Sequence, residues 1–306
     1  MSEHRLDDRQ PHAFWDNALP PRLSIVAGDS VVFETLEGTG QITPDSPDEA
    51  LAELRAELIH PLTGPVWIDG AMPGDTLEVE VVALRHKGWG WNGVIPGFGL
   101  LGDEFDGPYL HHYSLEADEC LFADDIRIPY DPFCGVMGVA PSEEGRFDTA
   151  PPRRNGGNVD IRHLTAGARV RLPVLVEGAL FSCGDCHAAQ GDGEVNGTGI
   201  ESPMEVTLRF QLHSGLETPE LRFTTPAPLA RADRDTWFAT TAHGSDLFAN
   251  AQQAIRHMLD HLIAEHGLTR EQAFCLCGAA VDLRISEIVN EPNSIVSAYL
   301  PLSIFR

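Results

Sequence analysis

The stretch TGPVWIDGAMPGDTLEVEVVAL, residues 63–84, decides how the body of this chain folds. Apolar and polar residues alternate through TLEVEVVAL, and a two-residue period is typical of a β-strand with one buried face. Gly and Pro residues separate this part from the shorter apolar run before it, as they do in β-turns. The stretch therefore predicts two strands joined by a turn.

The same pattern recurs on both sides of this stretch. Strands are predicted in LSIVAGDSVVFETL (residues 23–36), in ARVRLPVLVEGALF and in PMEVTLRFQL. Within the first 210 residues, DEALAELRAELI (residues 48–59) instead has the spacing of a helix. Frequent Gly and Pro residues between the apolar runs favour turns and loops over helices.

The last third of the chain has a different pattern. Ser245 or Asp246 is a good N-cap for a helix in LFANAQQAIRHMLDHLIAEHG, and Gly267 provides its end. Thr269 caps a second predicted helix, TREQAFCLCGAAVDL, with Gln272 at the capping-box position. The segment SIVSAYLPLSIF predicts a final strand.

Together these elements predict a mainly β fold with an α+β C-terminal part, in which helices pack on a β-sandwich-like body. We expect residues 1–210 to form the β-rich body that carries most of the functional site. Residues 211–306 are expected to form the α+β part that completes the fold.

Charge and composition limit the possible partners. The 306 residues carry a formal net charge of −25, which repels nucleic acid and anionic lipid, so neither is an expected partner. The N-terminus is polar and lacks a signal-peptide pattern, and no apolar run is long enough to span a membrane. We therefore expect a cytoplasmic protein whose six cysteines remain thiols.

Two Gly-flanked segments carry the strongest chemical signal. Asn158 and Asp160 are separated by one residue, so both point to the same side of an extended chain, and Asp185 and His187 repeat that spacing. Oxygen ligands with an imidazole suit a divalent cation, either zinc or, if oxygens dominate, calcium or magnesium. The alternative is that these residues are Asx-turn residues that fix the loops.

The segment GDGEV adds candidates for chemistry on a substrate. Glu194 can act as a general base beside a cation, although many carboxylates in so acidic a chain are solvated turn residues. Gln190 can donate a hydrogen bond to a developing oxyanion, or it can bridge two loop backbones. His60 and Trp91 are candidate substrate-binding residues, and packing is the alternative for Trp91. Cys183 and Cys186 form a CxxC pair, and we interpret them as buried thiols rather than as a zinc or redox motif.

The segments PPRRNGGNVDIRHL and LPVLVEGALFSCGDCHAAQGDGEVNGTGIESP closely resemble the signature region of the acetamidase/formamidase family. Other segments, including GWGWNGVIPGFGLLGDEF and AVDLRISEIVNEPN, follow in the family's order. The resemblance implies hydrolysis of a small neutral amide, such as formamide or acetamide, to ammonia and the carboxylic acid. It also implies a β-rich fold with a metal-bearing site and a homo-oligomer. Carried over by position, the site residues are Asn158, Asp160, Asp185, His187, Gln190 and Glu194.

The resulting hypothesis is a metal-assisted amidase. Asp160, Asp185 and His187, with Asn158 as a possible fourth ligand, hold a divalent cation, and zinc is the leading candidate. Glu194 is then the general base and Gln190 the oxyanion donor. Two alternatives remain: a hydrolase of a γ-lactam or larger amide on the same scaffold, and a non-catalytic metal- or ligand-binding β protein.

Overall fold

The computed structural model describes residues 1–226, 236–288 and 292–306. Many more of these residues belong to strands than to helices. In chain order the strands are β1 Glu3–Leu6, β2 Phe14–Trp15, β3 Leu23–Ile25, β4 Ser30–Glu34, β5 Thr63–Ile68, β6 Thr76–His86, β7 Trp89–Val94, β8 Tyr109–Leu115, β9 Glu119–Ala123, β10 Ile126–Pro129, β11 Phe133–Gly138, β12 Phe147–Asp148, β13 Gly156–Asn158, β14 Arg169–Pro173, β15 Phe181–His187, β16 Met204–His213, β17 Arg222–Thr224, β18 Trp237–Gly244, β19 Asp282–Glu287 and β20 Ser294–Pro301. The helices are α1 Leu247–His266 and α2 Arg270–Ala280, with short 3-10 helices at Asp48–Glu53, Ala56–Leu58, Gly102–Glu104 and Leu302–Ile304.

The two largest sheets share the central core of the body. One has the order β1-β4-β16-β6-β14-β17, and the other has the order β13-β11-β15-β5-β3. Aromatic side chains join them: the ring of Phe181 on β15 lies 5.1 Å from that of Phe210 and 6.0 Å from that of Phe33. All three side chains are fully buried, and each such burial contributes about 1.5–3 kcal/mol. The β-sandwich-like body is therefore confirmed.

Residues 63–84 contain β5 and most of β6, two strands joined by a turn, as predicted. Leu77, Val79 and Val81 of β6 turn into the shared core and are at most 1% exposed. Along its two edges, β6 pairs with β16 over ten residues and with β14 over five, and both pairings are antiparallel. The strand is central because its buried face and both of its edges are occupied.

The C-terminal part contains the sheet β18-β20-β19 with α1 packed against it. The predicted helix ends are confirmed: the Asp246 carboxylate accepts hydrogen bonds from the Phe248 and Ala249 amides, and Gly267 ends α1 with φ of 66°. Thr269 and Gln272 form the predicted capping box of α2. In the part of the chain that the structure describes, no helix is both long and apolar enough to cross a membrane.

The helical segment predicted at residues 48–59 is not one α-helix. It consists of two 3-10 turns, interrupted at Leu54 by backbone angles of −59° and 131°. Tertiary contacts outweigh the helical spacing here, because the Asp48 carboxylate accepts from the Leu110 amide and the Gln41 side chain accepts from the Arg55 amide. Leu51 is the one residue of these two turns that is fully buried.

The body and the C-terminal part meet through α2. The side-chain amide of Asn92, on β7, donates to the Cys275 carbonyl oxygen over 3.0 Å, and the rings of Phe105 and Phe274 stack at 5.1 Å. The predicted division at residue 210 falls inside β16, and β17 still belongs to the first sheet. The two-part division itself stays a prediction.

Replacing the α1 cap, Asp246→Ala, is expected to lower the free energy of unfolding by about 1 kcal/mol, because two amides at the helix start lose their acceptor. Urea denaturation measures this change. Asp260→Ala removes the same charge from an exposed position on the same helix and is expected to have little effect. Equal destabilisation by both variants would contradict the capping role.

Candidate active site

Strand β15 places the first two site residues. Asp185 and His187 are both buried and lie at the C-terminal end of this strand. Gly135 lies opposite them on the antiparallel partner strand β11. A Cβ atom on Gly135 would lie 2.6 Å from Asp160 Oδ1 and 2.9 Å from Asp185 Oδ2. Glycine at this position therefore leaves the space into which two carboxylates fit.

The backbone at the site is unusual. Six non-glycine residues among those described have a positive φ between 43° and 57°, and four of them line one cavity: His60, Asp160, Asp185 and Glu194. Left-handed backbone costs a non-glycine residue roughly 1–2 kcal/mol. Such residues cluster at functional sites, where the surrounding structure holds them in place.

Acidic groups surround the imidazole of His187. Its Nε2 atom lies 3.1 Å from Glu201 Oε1 and 3.7 Å from Asp185 Oδ1. Candidate ligand atoms of Asp160, Asp185 and His187 lie within 4.8 Å of one another, and so do those of His187, Glu194 and Glu201. The three predicted ligands therefore lie close together, and His187 is common to both groups.

Several buried polar atoms around His187 lack a hydrogen-bond partner. They are buried side-chain atoms of three residues that line the cavity and of His187, which lies beside them: Asn158 Oδ1, Asp160 Oδ1, His187 Nε2 and Glu201 Oε2. Unpartnered buried polar atoms are costly and rare in folded proteins. Three oxygens and one imidazole nitrogen form a donor set that suits a divalent cation such as zinc, so the residues present fit the cation that the sequence predicted.

Burial and mutual repulsion control the protonation of the site. Burial raises the pKa of Asp160 to about 7 and that of Glu201 to about 8. Burial, followed by the charge of Asp160, raises the pKa of Glu194 well above its usual value. Burial also acts against ionised Asp185, but His60 and then His187 outweigh it and lower the pKa of Asp185 to about 2. Such divergent pKa values among neighbours are typical of active sites.

Gln190 has contacts that differ from its predicted role. Its Oε1 atom accepts a hydrogen bond from His187 Nδ1 at 2.8 Å, and its Nε2 atom donates to the backbone oxygen of Asp160 at 2.9 Å. Gln190 is buried and does not line the cavity. It thus bridges two segments, which was the alternative reading, and it fixes His187 with Nε2 directed at the acids. Its role as an oxyanion donor stays a prediction that these contacts do not favour.

The other predicted residues lie in the cavity wall. His60 Nδ1 lies 3.2 Å from Thr149 Oγ1, and His60 Nε2 lies 3.8 Å from Asp185 Oδ2. The side-chain amide of Asn158 donates to the Ala150 carbonyl oxygen, which leaves its oxygen directed inward. Trp91 is buried and forms part of the wall.

Glu201 is the site residue that the sequence prediction missed. It follows Gly199, whose amide donates to Glu201 Oε1 at 3.0 Å, in the loop that leads into β16. Isolated bridges pair Glu201 with both Trp91 and His187, which brings it beside the cluster. A Cβ atom on Gly38 would collide with Glu201 Oε2 and Asp185 Oδ1. The sequence pattern that could have identified Glu201 was weak, because only Gly199, two residues earlier, distinguishes it from a solvated glutamate.

The cysteines nearby belong to the core. Cys183 and Cys186 are buried on β15, and Cys186 Sγ lies 3.5 Å from Cys134 Sγ and accepts from Thr35 Oγ1. Hydrogen bonding to Cys134 and burial raise the pKa of Cys186 well above its usual value. A thiol of this kind is a poor nucleophile, which agrees with the interpretation of these cysteines as buried thiols.

A buried ion-pair network holds the acidic loops in place. Arg162 is 2% exposed, and its guanidinium donates to Asp192 Oδ1 at 2.7 Å and to Asp282 Oδ2 at 3.1 Å. Arg162 lies two residues after Asp160, and Asp192 lies two residues before Glu194. The network thus ties both site segments to β19 of the C-terminal part.

A buried acid–imidazole cluster at the end of a cavity is the arrangement of an enzyme active site. The Acetamidase/Formamidase family model matches residues 2–148 and 143–306, and the chain belongs to that family. This confirms the predicted enzyme class, a hydrolase of C–N amide bonds.

Individual relatives agree with this assignment. The formamidase of Methylophilus methylotrophus is 27% identical, over 98% of this chain and 90% of its own length. The acetamidase of Bacillus halodurans is 33% identical, over 98% of this chain and 97% of that structure, with a TM-score of 0.70. A γ-lactamase from Delftia acidovorans shares the fold, with a TM-score of 0.90 at 24% identity over 100% of this chain and 93% of that one.

The buried network predicts a large loss of stability on its removal. Arg162→Met is expected to lower the free energy of unfolding by about 3 kcal/mol, because it leaves carboxylates, including fully buried Asp282, without their partner. Arg209→Met, which breaks a surface ion pair with Glu80, should cost less than about 1 kcal/mol. Urea denaturation of both variants tests the difference, and similar losses would contradict it.

Glu201→Gln is expected to change how stability depends on pH in protein stripped of metal by a chelator. The folded-state pKa of Glu201, about 8, lies above its ordinary value of 4.5. The neutral carboxyl therefore contributes stability that is present below that ordinary value and is lost as the pH rises towards 8. From about pH 5 to about pH 8, the wild-type protein should lose stability relative to the variant.

Urea denaturation across this pH range measures the effect. Glu144→Gln, at an exposed position, serves as the control and should follow the wild-type protein. Parallel curves for wild type and Glu201→Gln would show that the carboxyl is already ionised in the fold.

Proposed function

We propose that this chain hydrolyses small neutral amides of the formamide and acetamide type, and that it uses a divalent cation, zinc, to do so. The observation that carries the proposal is that four buried side-chain atoms at the cavity have no hydrogen-bond partner, from Asn158, Asp160, Glu201 and the adjacent His187. Family membership supports amide hydrolysis and argues against a purely structural cluster.

Asp160, Asp185 and His187 would hold the cation, and Asn158 and Glu201 offer further oxygens. When bound, a divalent cation supplies Lewis-acid chemistry, since it polarises a carbonyl and lowers the pKa of water. Gln190 keeps the tautomer of His187 that donates from Nδ1 and leaves Nε2 available. His60 lies where it can bind the amide group of the substrate.

Glu194 acts as the general base in this proposal. Its carboxyl lines the cavity, and burial raises its pKa well above the usual value, so it binds a proton more readily than an exposed glutamate does. It takes a proton from the water that attacks the carbonyl carbon. It then gives that proton to the nitrogen as the C–N bond breaks, which releases ammonia and the acid.

We also propose a cytoplasmic homo-oligomer. All six cysteines are buried thiols and none is in a disulfide, which suits a reducing compartment.

Glu194→Gln tests the assignment of the base. We expect kcat for acetamide to fall by about 10²–10⁴-fold while the metal content stays at the wild-type level, because the variant keeps the shape of the side chain but cannot accept a proton. Ammonia release and metal analysis give the two measurements. Glu205→Gln, in an acid that pairs with Arg5 outside the cavity, is the matched control. Full turnover by the Glu194 variant would reject the assigned base.

Substrate class is tested in the same assay. Formamide, acetamide, propionamide and a γ-lactam are compared before and after chelation. Loss of turnover on chelation and its return with zinc support the metal-dependent reaction. Turnover of the lactam alone would favour the alternative on the same scaffold, and turnover that survives complete metal removal would contradict the role of the cation.

A further inference from the structure

The cavity is much larger than a formamide or acetamide molecule. It has a volume of about 290 Å³ and ends at the acid–imidazole cluster. A water molecule takes up about 30 Å³ in the liquid, so acetamide, with four heavy atoms, fills roughly 100 Å³. Most of the cavity remains open when the amide group lies against the cluster.

The open part of the cavity is apolar. Its wall consists of side chains from the loop after β4, from β7 and from the Gly-rich loop that follows β7. We call this set the apolar wall: Leu54, Ile59, Trp91, Ile95 and Phe98. None of these side chains, apart from the Trp91 indole, can form a hydrogen bond, and that indole already donates to Glu37 Oε2 at 2.8 Å.

A small hydrophobic core supports the apolar wall from behind. Trp91 packs in a buried cluster with Ile42, Leu51 and Leu110, and Leu54 and Ile95 pack against that cluster. The Glu37 carboxylate fixes the adjoining loop, because it accepts from the amides of Thr39, Gln41 and Ile42. The wall is therefore a formed surface that exists before any substrate binds.

Phe98 covers the outer end of the apolar wall. Its side chain is 52% exposed and its ring lies directly against Gly197, at which a Cβ atom would collide with the ring. The Leu100 amide donates to the Val195 carbonyl oxygen at 2.8 Å, so the loop is tied to the residue after Glu194. An exposed aromatic ring in this position has one face available to a ligand in the cavity.

The acidic residues of the cavity lining also limit which substrates can bind. Among the described residues that line the cavity there is no Arg or Lys, and Asp160, Asp185, Glu194 and Glu201 lie at its inner end. A second carboxylate on the substrate would therefore find no basic partner and would be repelled. The wall suits a neutral and apolar group.

We propose that the apolar wall is a subsite for an aliphatic acyl chain of about four to six carbons, so that neutral primary amides larger than acetamide are the preferred substrates. This inference rests on the proposed amide hydrolysis. Phe98 and Leu54 are the residues that set the chain-length preference.

A homologous series tests the subsite. Ammonia release is measured for acetamide, propionamide, butyramide, pentanamide and hexanamide with the metal-loaded enzyme. Each added methylene that enters the subsite is expected to raise kcat/KM by about fourfold, until the cavity is full. The monoamide of adipic acid, which matches hexanamide in length but ends in a carboxylate, should be at least tenfold poorer than hexanamide.

Two variants test the residues. In Phe98→Ala and in Leu54→Ala, the ratio of kcat/KM for hexanamide to that for acetamide should fall by about tenfold. The control is Leu216→Ala, a half-exposed leucine outside the cavity, which should keep the wild-type ratio. Because Phe98 is exposed and Leu54 only partly buried, both variants should remain folded, and circular dichroism checks this.

The outcomes are distinguishable. A kcat/KM that stays flat or falls beyond acetamide, with acetamide still hydrolysed, overturns the subsite and leaves the proposed function intact. An unchanged hexanamide-to-acetamide ratio in both wall variants also overturns it. Failure to hydrolyse any amide of the series would overturn the proposed function and the subsite together.

Discussion

The mutual repulsion of four carboxyl groups around one imidazole is the constraint on which the rest of this structure depends. Asp160, Asp185, Glu194 and Glu201 share a small volume with His187, largely shielded from water. Ionised groups held this close are unfavourable unless protons or a cation neutralise them. Protons neutralise the cluster at low pH, and a divalent cation bound there would neutralise it at neutral pH. Burial, together with this repulsion, raises the pKa of Glu194.

The fold holds this cluster together by distributing its members over separate segments. Asp185 and His187 come from a core strand, whereas Asp160 and Glu194 come from loops that Arg162 ties to the C-terminal sheet. Gly191 adds a backbone hydrogen bond to the Gly278 carbonyl oxygen of α2. The α+β part therefore does more than complete the core, because it fixes the loop that carries Glu194, the proposed general base.

Much of this arrangement could be predicted from the sequence, because the information was local. Alternating apolar residues gave β6 its two faces, and the caps at Asp246 and Thr269 fixed the ends of the helices. The one-residue spacing of Asp185 and His187 on a strand placed both at one site. Each of these features depends on neighbours in the chain and on intrinsic backbone geometry.

What the sequence did not reveal depends on distant contacts. Residues 48–59 have helical spacing, but hydrogen bonds that join Arg55 to Gln41 and Asp48 to Leu110, both outside the segment, favour 3-10 turns. Glu201 joins the cluster only through its pairing with Trp91 and His187. Gln190 was recognised as a site residue, yet only the three-dimensional contacts show that it supports His187 from behind the cavity.

The glycines beside the cluster have a consequence for how such a site can change. At Gly38 and Gly135 a single methyl group would overlap the carboxylates. The acids therefore occupy space that is free only because these two residues have no side chain. Variation at these positions would deform the reaction centre itself. In the apolar wall, Phe98 is 52% exposed and Leu54 is only partly buried, so these side chains can change size more freely. The protein thus separates a part that tolerates almost no added volume from a part that can be resized, and new specificities can arise in the second without disturbing the first.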